Sequence, residues 1–323
     1  MKLLYHITES NNPCENLALE ELLFSMLGND EVLLYLWQND NTVVIGRNQN
    51  AWRECRLDAF AAQKGHLVRR LTGGGAMYQD MGNQNFTFFA PNTLYDVWKQ
   101  TEVIRLAAAS FGIDTERSGR NDILADGRKF SGNAYFKGSV SSFHHGTILI
   151  SSDLSRLSQF LAPSPEKLKS KGVDSVRSRV VNLCELKPAI TPTAMRNAVI
   201  RAFEQVYESK AELFDSAALD IKKLTDLTAH YADDTWRLGL KAAFDFNARR
   251  RFSFGELEFD FSVHDNRVTQ AAVHSDALDA PWVLAMEQSF VGKEFSAAAL
   301  AAAIPENPDR KEVEDFFRTE FLV

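Results

Sequence analysis

Three consecutive glycines lie inside the run Arg69-Arg70-Leu71-Thr72-Gly73-Gly74-Gly75-Ala76-Met77-Tyr78, and no other segment limits the fold as tightly. Glycine loses more backbone freedom on folding than any other residue, so a run of them belongs where the chain takes positive φ or lies flat against a ligand. Arg70, just upstream, is a rigid fork of donors suited to carboxylate or phosphate. Backbone N–H groups exposed by a glycine turn can form an anion-binding concavity. The segment therefore reads as a site for a small anion, a nucleotide phosphate or a carboxylate. A plain glycine hairpin is the alternative. A P-loop is excluded because no Lys-Ser or Lys-Thr follows the glycines. A dinucleotide fingerprint is excluded because the following Ala76–Phe89 stretch, rich in aromatics, reads as strands rather than a helix.

At 323 residues the chain is expected to form one large domain and a smaller one. Its net charge of −7 argues against general nucleic-acid binding, which needs a basic face. Cys14, Cys55 and Cys184 are far apart and odd in number, which fits neither a disulfide framework nor a zinc site, and no metal ligands are assigned. The start is too short in apolar run for a signal peptide, and no apolar run approaches the ~18 residues of a membrane span. A reducing, cytoplasmic setting is expected, with no membrane partner and no demand for more than a monomer.

Asn16–Leu27 has apolar residues at helical spacing, with Glu15, Glu20 and Glu21 mostly in the early turns. Val32–Trp37 and Thr42–Arg47, joined through Asn39-Asp40-Asn41, predict a hairpin. Arg56–Lys64 predicts a short helix, and Tyr95–Phe111 another, stopped by Gly112. Asp126-Gly127 is a hairpin turn signal between two strands, and His144–Ile150 is a further strand. Thr193–Tyr207 predicts a helix. Arg251–Val263 alternates as a strand that turns at Asp265-Asn266 and returns, followed by helices near Pro281–Gly292 and Pro308–Phe321. The architecture expected is α+β: a large mixed-sheet domain over 1–244 and a small C-terminal α/β domain over 249–323. Lys167–Leu183 holds Lys167, Lys169, Lys171, Arg177 and Arg179 against Asp174 in an otherwise acidic chain. It reads as a solvated loop or as a flap over an anionic ligand.

Lys129 follows the Asp126-Gly127 turn at the start of a strand, ahead of the small residues Ser131-Gly132-Asn133-Ala134. Joining a carboxylate to the α-phosphate of ATP brings two anions together. A lysine between them offsets the repulsion and stabilises transition-state charge. Tyr35, Trp37, Val44 and Phe86 are either an apolar channel for an acyl chain or sheet core. His144 and His145 are adjacent on a strand, so they face opposite ways and cannot form a zinc pair; His145 is the one expected to line the pocket.

Arg69-Arg70-x-Thr-Gly-Gly-Gly-Ala, Gly119-Arg120-Asn121-Asp122, Arg128-Lys129-x-Ser-Gly and His144-His145-Gly-Thr-Ile-Leu together resemble the lipoate–protein ligase A family. So do Thr42-Val43-Val44-Ile45-Gly46-Arg47-x-Gln-Asn and Ser175-Val176-Arg177-Ser178-Arg179-Val180-x-Asn-Leu. The resemblance spans nearly the whole chain. It implies a catalytic domain related to biotin ligases and class II aminoacyl-tRNA synthetases plus a small accessory domain. It implies that lipoate and ATP, with Mg²⁺, give lipoyl-AMP and pyrophosphate. The acyl group then passes to a lysine of a lipoyl domain in a 2-oxoacid dehydrogenase E2 subunit or of the glycine-cleavage H protein. Carried over by motif, Lys129 is the catalytic lysine touching both lipoate and nucleotide. Arg70, Gly75, Ala76, Met77 and Tyr78 are ATP contacts. From the residues themselves, Trp37, Gly73, Gly74 and His145 are expected to contact the acyl substrate, while the resemblance has Asp122 assist Mg²⁺ or orient the adenylate. Lys167–Leu183 matches a loop that folds over the adenylate. The family usually has His where Gln79 stands. Related octanoyltransferases use a nucleophilic cysteine, but Asn182, Leu183 and Glu185 offer Cys184 no histidine partner, so it reads as an inert thiol. An ATP-independent acyltransferase and a non-catalytic lipoyl-domain binding protein are the alternative functions.

Overall fold

The computed structural model describes residues 1–56, 60, 62–119, 121–160, 180–239, 244–319 and 321. The first elements are β1 (Lys2–Ile7), α1 (Pro13–Met26), β2 (Glu31–Trp37), β3 (Thr42–Ile45), α2 (Ala51–Glu54), β4 (His66–Arg69), β5 (Met77–Gln79) and β6 (Asn83–Pro91). Next come α3 (Val97–Ala109), β7 (Thr115–Ser118), β8 (Asp122–Ala125), β9 (Arg128–Lys137), β10 (Ser141–Leu149), α4 (Leu154–Phe160) and α5 (Leu183–Leu186). Then follow α6 (Pro192–Tyr207), β11 (Ala211–Leu213), α7 (Ile221–Ala232), α8 (Asp234–Leu238) and β12 (Phe246–Arg251). The chain closes with β13 (Glu256–His264), β14 (Arg267–Ser275), α9 (Ala280–Phe290), α10 (Ala297–Ala303) and α11 (Arg310–Thr319). The helix expected at Arg56–Lys64 lies partly outside the described residues, as does most of Lys167–Leu183.

The described residues form two compact units. The first holds Met1–Val44, Cys55–Val68 and Met77–Arg237; the second holds Ile45–Glu54, Arg69–Ala76 and Leu238–Val323. The first is built on an eight-stranded mixed sheet in the order β11-β1-β2-β6-β10-β9-β8-β7. β11, β1 and β2 run parallel, and antiparallel pairing takes over from β2 onward. One face of the sheet carries Val32, Leu34, Leu36, Phe86 and Phe88, which pack with Val103, Ile104 and Ala107 of α3 and Val199 and Phe203 of α6. α1 begins where Asn12 caps the Cys14 amide and Pro13 occupies the first turn, three residues before the periodicity predicts. The β8–β9 turn takes positive φ at both Asp126 (51°) and Gly127 (67°), the geometry that matches strand twist in a two-residue hairpin.

The hairpin expected between Val32–Trp37 and Thr42–Arg47 does not form. β2 pairs with β1 and β6, whereas β3 is the middle strand of a separate three-stranded sheet, β4-β3-β5. The residues between them are pinned by distant partners. Gln38 Nε2 donates to the carbonyls of Met81 (2.9 Å) and Asn83 (3.1 Å), and the Asp40 amide donates to Asn11 (3.2 Å). Because β4 and β5 flank β3, the glycine run joins opposite edges of this sheet and is not a hairpin turn.

In the second unit, the strand expected from Arg251 starts later: Arg251 ends β12, and β13 runs from Glu256 into the expected turn at Asp265-Asn266 and pairs with β14. Phe252 and Phe254 fall in the connection, which closes by a Phe252 N–H to Gly255 carbonyl bond of 2.7 Å. Leu257, Phe259 and Phe261 of β13 pack with Phe290, Phe316 and Phe317 from α9 and α11. The alternate residues Glu256, Glu258 and Asp260 are also buried. They are paired: Glu256 with Arg249, Glu258 with Arg53 at 2.5 Å, and Asp260 with Asn247 at 2.5 Å. Burial pushes the Glu258 carboxyl upward even so.

Candidate functional site

Strand register lays out the α1-side face of the main sheet in rows. Asp122 lies opposite Gly132, Asn85 opposite both Trp37 and Thr147, and the β9–β10 register puts Gly132 beside Thr147. The next row is Tyr35, Thr87, His145 and Ala134, and below it lie Leu33, Phe89, Phe143 and Phe136. Phe24 of α1 closes the lowest row, its ring 5.3 Å from Phe143 and 6.2 Å from Phe89. The face is thus aromatic at one end, hydrogen-bonded in the middle, and cationic where Lys129 enters.

Lys129 reaches this face through a bulge. Leu124 pairs with Lys129 and Ile123 with Ser131, so Phe130 has no partner across the ladder. Bulges re-aim side chains in this way. Lys129 Nζ is 2.6 Å from Asp122 Oδ1, and both side chains are about a third exposed. A Cβ on Gly132 would lie 2.7 Å from Nζ, so the amine rests directly over this glycine and a side chain there would push it aside. Asn121 and Asn133 exchange bonds of 2.8 and 3.0 Å, which fixes the segment carrying Asp122. The Lys129 carbonyl accepts from the Val181 amide at 2.9 Å, so the end of the Lys167–Leu183 stretch is tied to this strand.

His145 lies on this face, 7% exposed, with Nδ1 2.9 Å from Glu20 Oε1. Thr87 Oγ1 donates to the same carboxylate at 2.6 Å and accepts from Trp37 Nε1 at 3.2 Å. The structure therefore links Trp37 and His145 through Thr87 and Glu20. Sequence reasoning took Glu20 only as a helix-dipole residue. Its spacing from Asn16 and Leu23 puts it on the buried stripe of α1, and an acid on such a stripe was the available signal. Of the four candidate channel residues, Tyr35 and Trp37 share this face. Phe86 points into the opposite core, and Val44 lies in the small sheet, paired with Met77. Tyr78 turns its hydroxyl to Asn41 Oδ1 (3.2 Å) and packs its ring 5.7 Å from Phe160. Met77 Sδ meets Gln79 Nε2 at 3.3 Å.

His144 faces the core. Its ring nitrogens meet Gln100 Oε1 at 3.2 Å and Asn133 Oδ1 at 2.8 Å. Burial, with smaller contributions from His145 and Arg117, lowers its pKa to about 3, so the ring is neutral. The Cys184 thiol is pushed up by burial and by Glu185, the reverse of an activated nucleophile. Among the described residues no three His, Cys, Asp or Glu side chains form a metal-holding group. None of the helices there is long and apolar enough to cross a membrane.

The glycine segment belongs to the second unit. Arg70, 4% exposed, donates to Thr72 Oγ1 (3.0 Å) and to the carbonyls of Gly73 (2.6 Å) and Gly75 (3.0 Å). Its guanidinium braces the loop from inside. Arg69 does the same for the turn after β3, donating to the carbonyls of Gly46, Arg47 and Gln49. Two of the glycines are required for different reasons. Gly74 takes φ of 91°, and a Cβ on Gly73 would lie 2.2 Å from the Ala277 carbonyl oxygen. Ala76 ends the segment and leads into β5. Of the predicted site residues, then, Trp37, Met77, Tyr78, Lys129 and His145 belong to the first unit, and Arg70, Gly73, Gly74, Gly75 and Ala76 to the second.

Residues 12–204 match the family model described as the lipoyl protein ligase A/B catalytic domain, and residues 241–322 match the bacterial lipoate protein ligase C-terminus. The chain belongs to the lipoate–protein ligase A family. It is 38% identical over 310 residues to a lipoate-protein ligase A of Bdellovibrio bacteriovorus, covering 94% of this chain and 91% of that protein. It is 36% identical over 316 residues to one from Psychrobacter cryohalolentis, covering 95% and 93%. The crystal structure of P. falciparum LipL1 in complex with lipoate matches with a TM-score of 0.87 at 26% identity, over 98% of this chain and all of that one. A lipoate-protein ligase A bound with ATP matches with a TM-score of 0.62 at 25% identity, over 74% and 98%.

Proposed function

We propose that this ligase joins lipoate to ATP as lipoyl-AMP and then transfers the lipoyl group to an acceptor lysine. One observation carries the reading: the Lys129 amine lies over Gly132 beside Asp122, at the end of the row that runs through Thr147 and Asn85 to Trp37. In the first step a carboxylate oxygen of lipoate attacks the α-phosphorus and pyrophosphate leaves. Lys129 offsets the repulsion between these anions. The sheet face behind it, with Trp37 in that row and His145 in the next, holds the acyl chain, with Gly73 and Gly74 as further substrate contacts. Arg70, Gly75, Ala76, Met77 and Tyr78 serve the nucleotide: Arg70 by bracing the loop, Tyr78 by holding β5 through Asn41. In the second step the acceptor amine attacks the acyl carbonyl, AMP leaves, and an amide forms.

Mg²⁺ belongs with the nucleotide in this reading. The described residues offer it no ligand cluster, and Asp122 is engaged by Lys129. The acceptors are lipoyl domains of 2-oxoacid dehydrogenase E2 subunits and the glycine-cleavage H protein, met by a monomer in the cytoplasm. An archaeal relative, the bi-partite ligase of Thermoplasma acidophilum, is described with its E2 lipoyl domain (TM-score 0.65, 25% identity). The division into a catalytic domain over 1–244 and an accessory domain over 249–323 is part of the same reading.

The test is lipoate-dependent exchange of labelled pyrophosphate into ATP, followed by transfer to an apo-lipoyl domain. Exchange that needs lipoate supports the proposal. Acyl transfer from a preformed carrier without ATP points to the transferase, and acceptor binding without exchange points to a binding protein.

A further inference from the structure

We infer that Gln79 is a positioning residue for the acyl-binding wall. The inference rests on the proposed lipoate activation and adds a determinant of substrate affinity to it. Gln79 ends β5 and is 3% exposed. Its Oε1 accepts two amide donors, Asn39 Nδ2 at 2.8 Å and Asn85 Nδ2 at 3.2 Å. Each donor heads an arm. On one, Tyr35 Oη donates to Asn16 Oδ1 (3.3 Å), and Asn16 Nδ2 donates to Asn39 Oδ1 (3.0 Å). On the other, Asn83 Nδ2 donates to Asn85 Oδ1 at 2.8 Å. Every donor in the chain points toward Gln79, whose carbonyl oxygen is where both arms end.

The two arms hold the two neighbours of Trp37. Tyr35 stacks on its ring, with centroids 5.9 Å apart and planes 12° from parallel. Asn85 lies opposite it across the ladder and leads on to Thr147. Tyr35, Trp37 and Asn85 are buried at 0%, 3% and 1% exposure, so their positions depend on satisfied hydrogen bonds rather than on water. What position 79 must supply is an acceptor of two bonds. Removing it leaves two buried N–H groups unpaired at once. Small displacements of such a wall are felt in substrate affinity, because binding geometry is held to well under about 1 Å.

The experiment is pyrophosphate exchange with lipoate and ATP varied separately, in wild type, Gln79→Met and Gln79→Glu. Methionine matches the shape without the acceptor, and glutamate keeps an oxygen at the same place. Gln79→Met is expected to raise the KM for lipoate at least tenfold and to leave the KM for ATP within twofold. Gln79→Glu is expected to recover most of the lipoate affinity. If Gln79→Met does not fold, Asn39→Ser, which cuts one arm, is expected to raise the same KM about threefold. A loss of thermal stability with the lipoate KM unchanged, or equal rises in both KM values, overturns the inference. A wild type without lipoate-dependent exchange instead sinks the parent reading, so the two failures are distinct.

Discussion

His144 and His145 are neighbours in the chain and have opposite surroundings. His144 is in the core between Gln100 and Asn133, fully buried and held neutral. His145 meets Glu20 on the face that also carries Trp37, Thr147 and Gly132. The strand pleat alone separates them. On one side of the sheet a polar ring is an internal brace in an apolar layer; on the other a similar ring is hydrogen-bonded through Glu20 and Thr87 to Trp37, beside the row that ends near a lysine. Residue type does not distinguish the two roles. The neighbouring face does.

The strongest way to break this comparison is at Lys129. Lys129→Ala is expected to lower lipoate-dependent exchange by about 10²–10³-fold, the scale of losing one preorganised charge partner. Its melting temperature should stay near that of wild type, because the ion pair with Asp122 is about a third exposed and contributes little. Normal exchange by that variant would refute the role assigned to the amine.

Alanine at each histidine comes next. His144→Ala is expected to cost about 2–4 kcal/mol of stability in urea unfolding, since it opens a cavity and leaves buried amide groups unpaired. Its activity per folded molecule should fall less than tenfold. His145→Ala should reverse the order, with activity down about 10–100-fold and the smaller stability loss. Equal effects from both would erase the distinction between the faces.

Acid sensitivity sharpens the same contrast. From pH 6.5 down to about 3 the unfolded chain protonates His144 while the folded chain does not, so stability falls as pH drops through that window and is fully present above it. His144→Gln should flatten the unfolding free energy there by at most about 1.4 kcal/mol per pH unit, read from urea midpoints. The smallest effect is expected from Cys184→Ser, with ligation unchanged within twofold, because that thiol is pushed away from its reactive form. A large loss would favour the transferase reading instead.

Much of the site could be read in advance because short-range chemistry dictates it. Asp126-Gly127 can take the positive φ that a two-residue turn needs, and Lys129 follows that turn whatever the remainder of the chain does. Alternation on a strand was enough to separate His144 from His145. Glu20 and Gln79 were not legible as parts of a hydrogen-bonded wall. Their partners Thr87, His145 and Asn85 come from other strands and Asn39 from the connection after β2, and only the tertiary fold brings them together. The failed hairpin after Trp37 has the same origin: local turn residues allowed it, and distant carbonyls captured Gln38.

The amino-acid order by itself determined which segments favour strand or helix, which turn needs a glycine, and which lysine stands at a strand start. Those properties depend on φ, capping and side-chain period, which act over a few residues. Tertiary structure decided that Arg70 braces its own loop, that Ile45–Glu54 and Arg69–Ala76 cluster with the C-terminal segment, and that two amide arms end on one oxygen. These depend on which buried donors meet which acceptors. A buried polar group must find its partner wherever the fold supplies one, however far away along the chain.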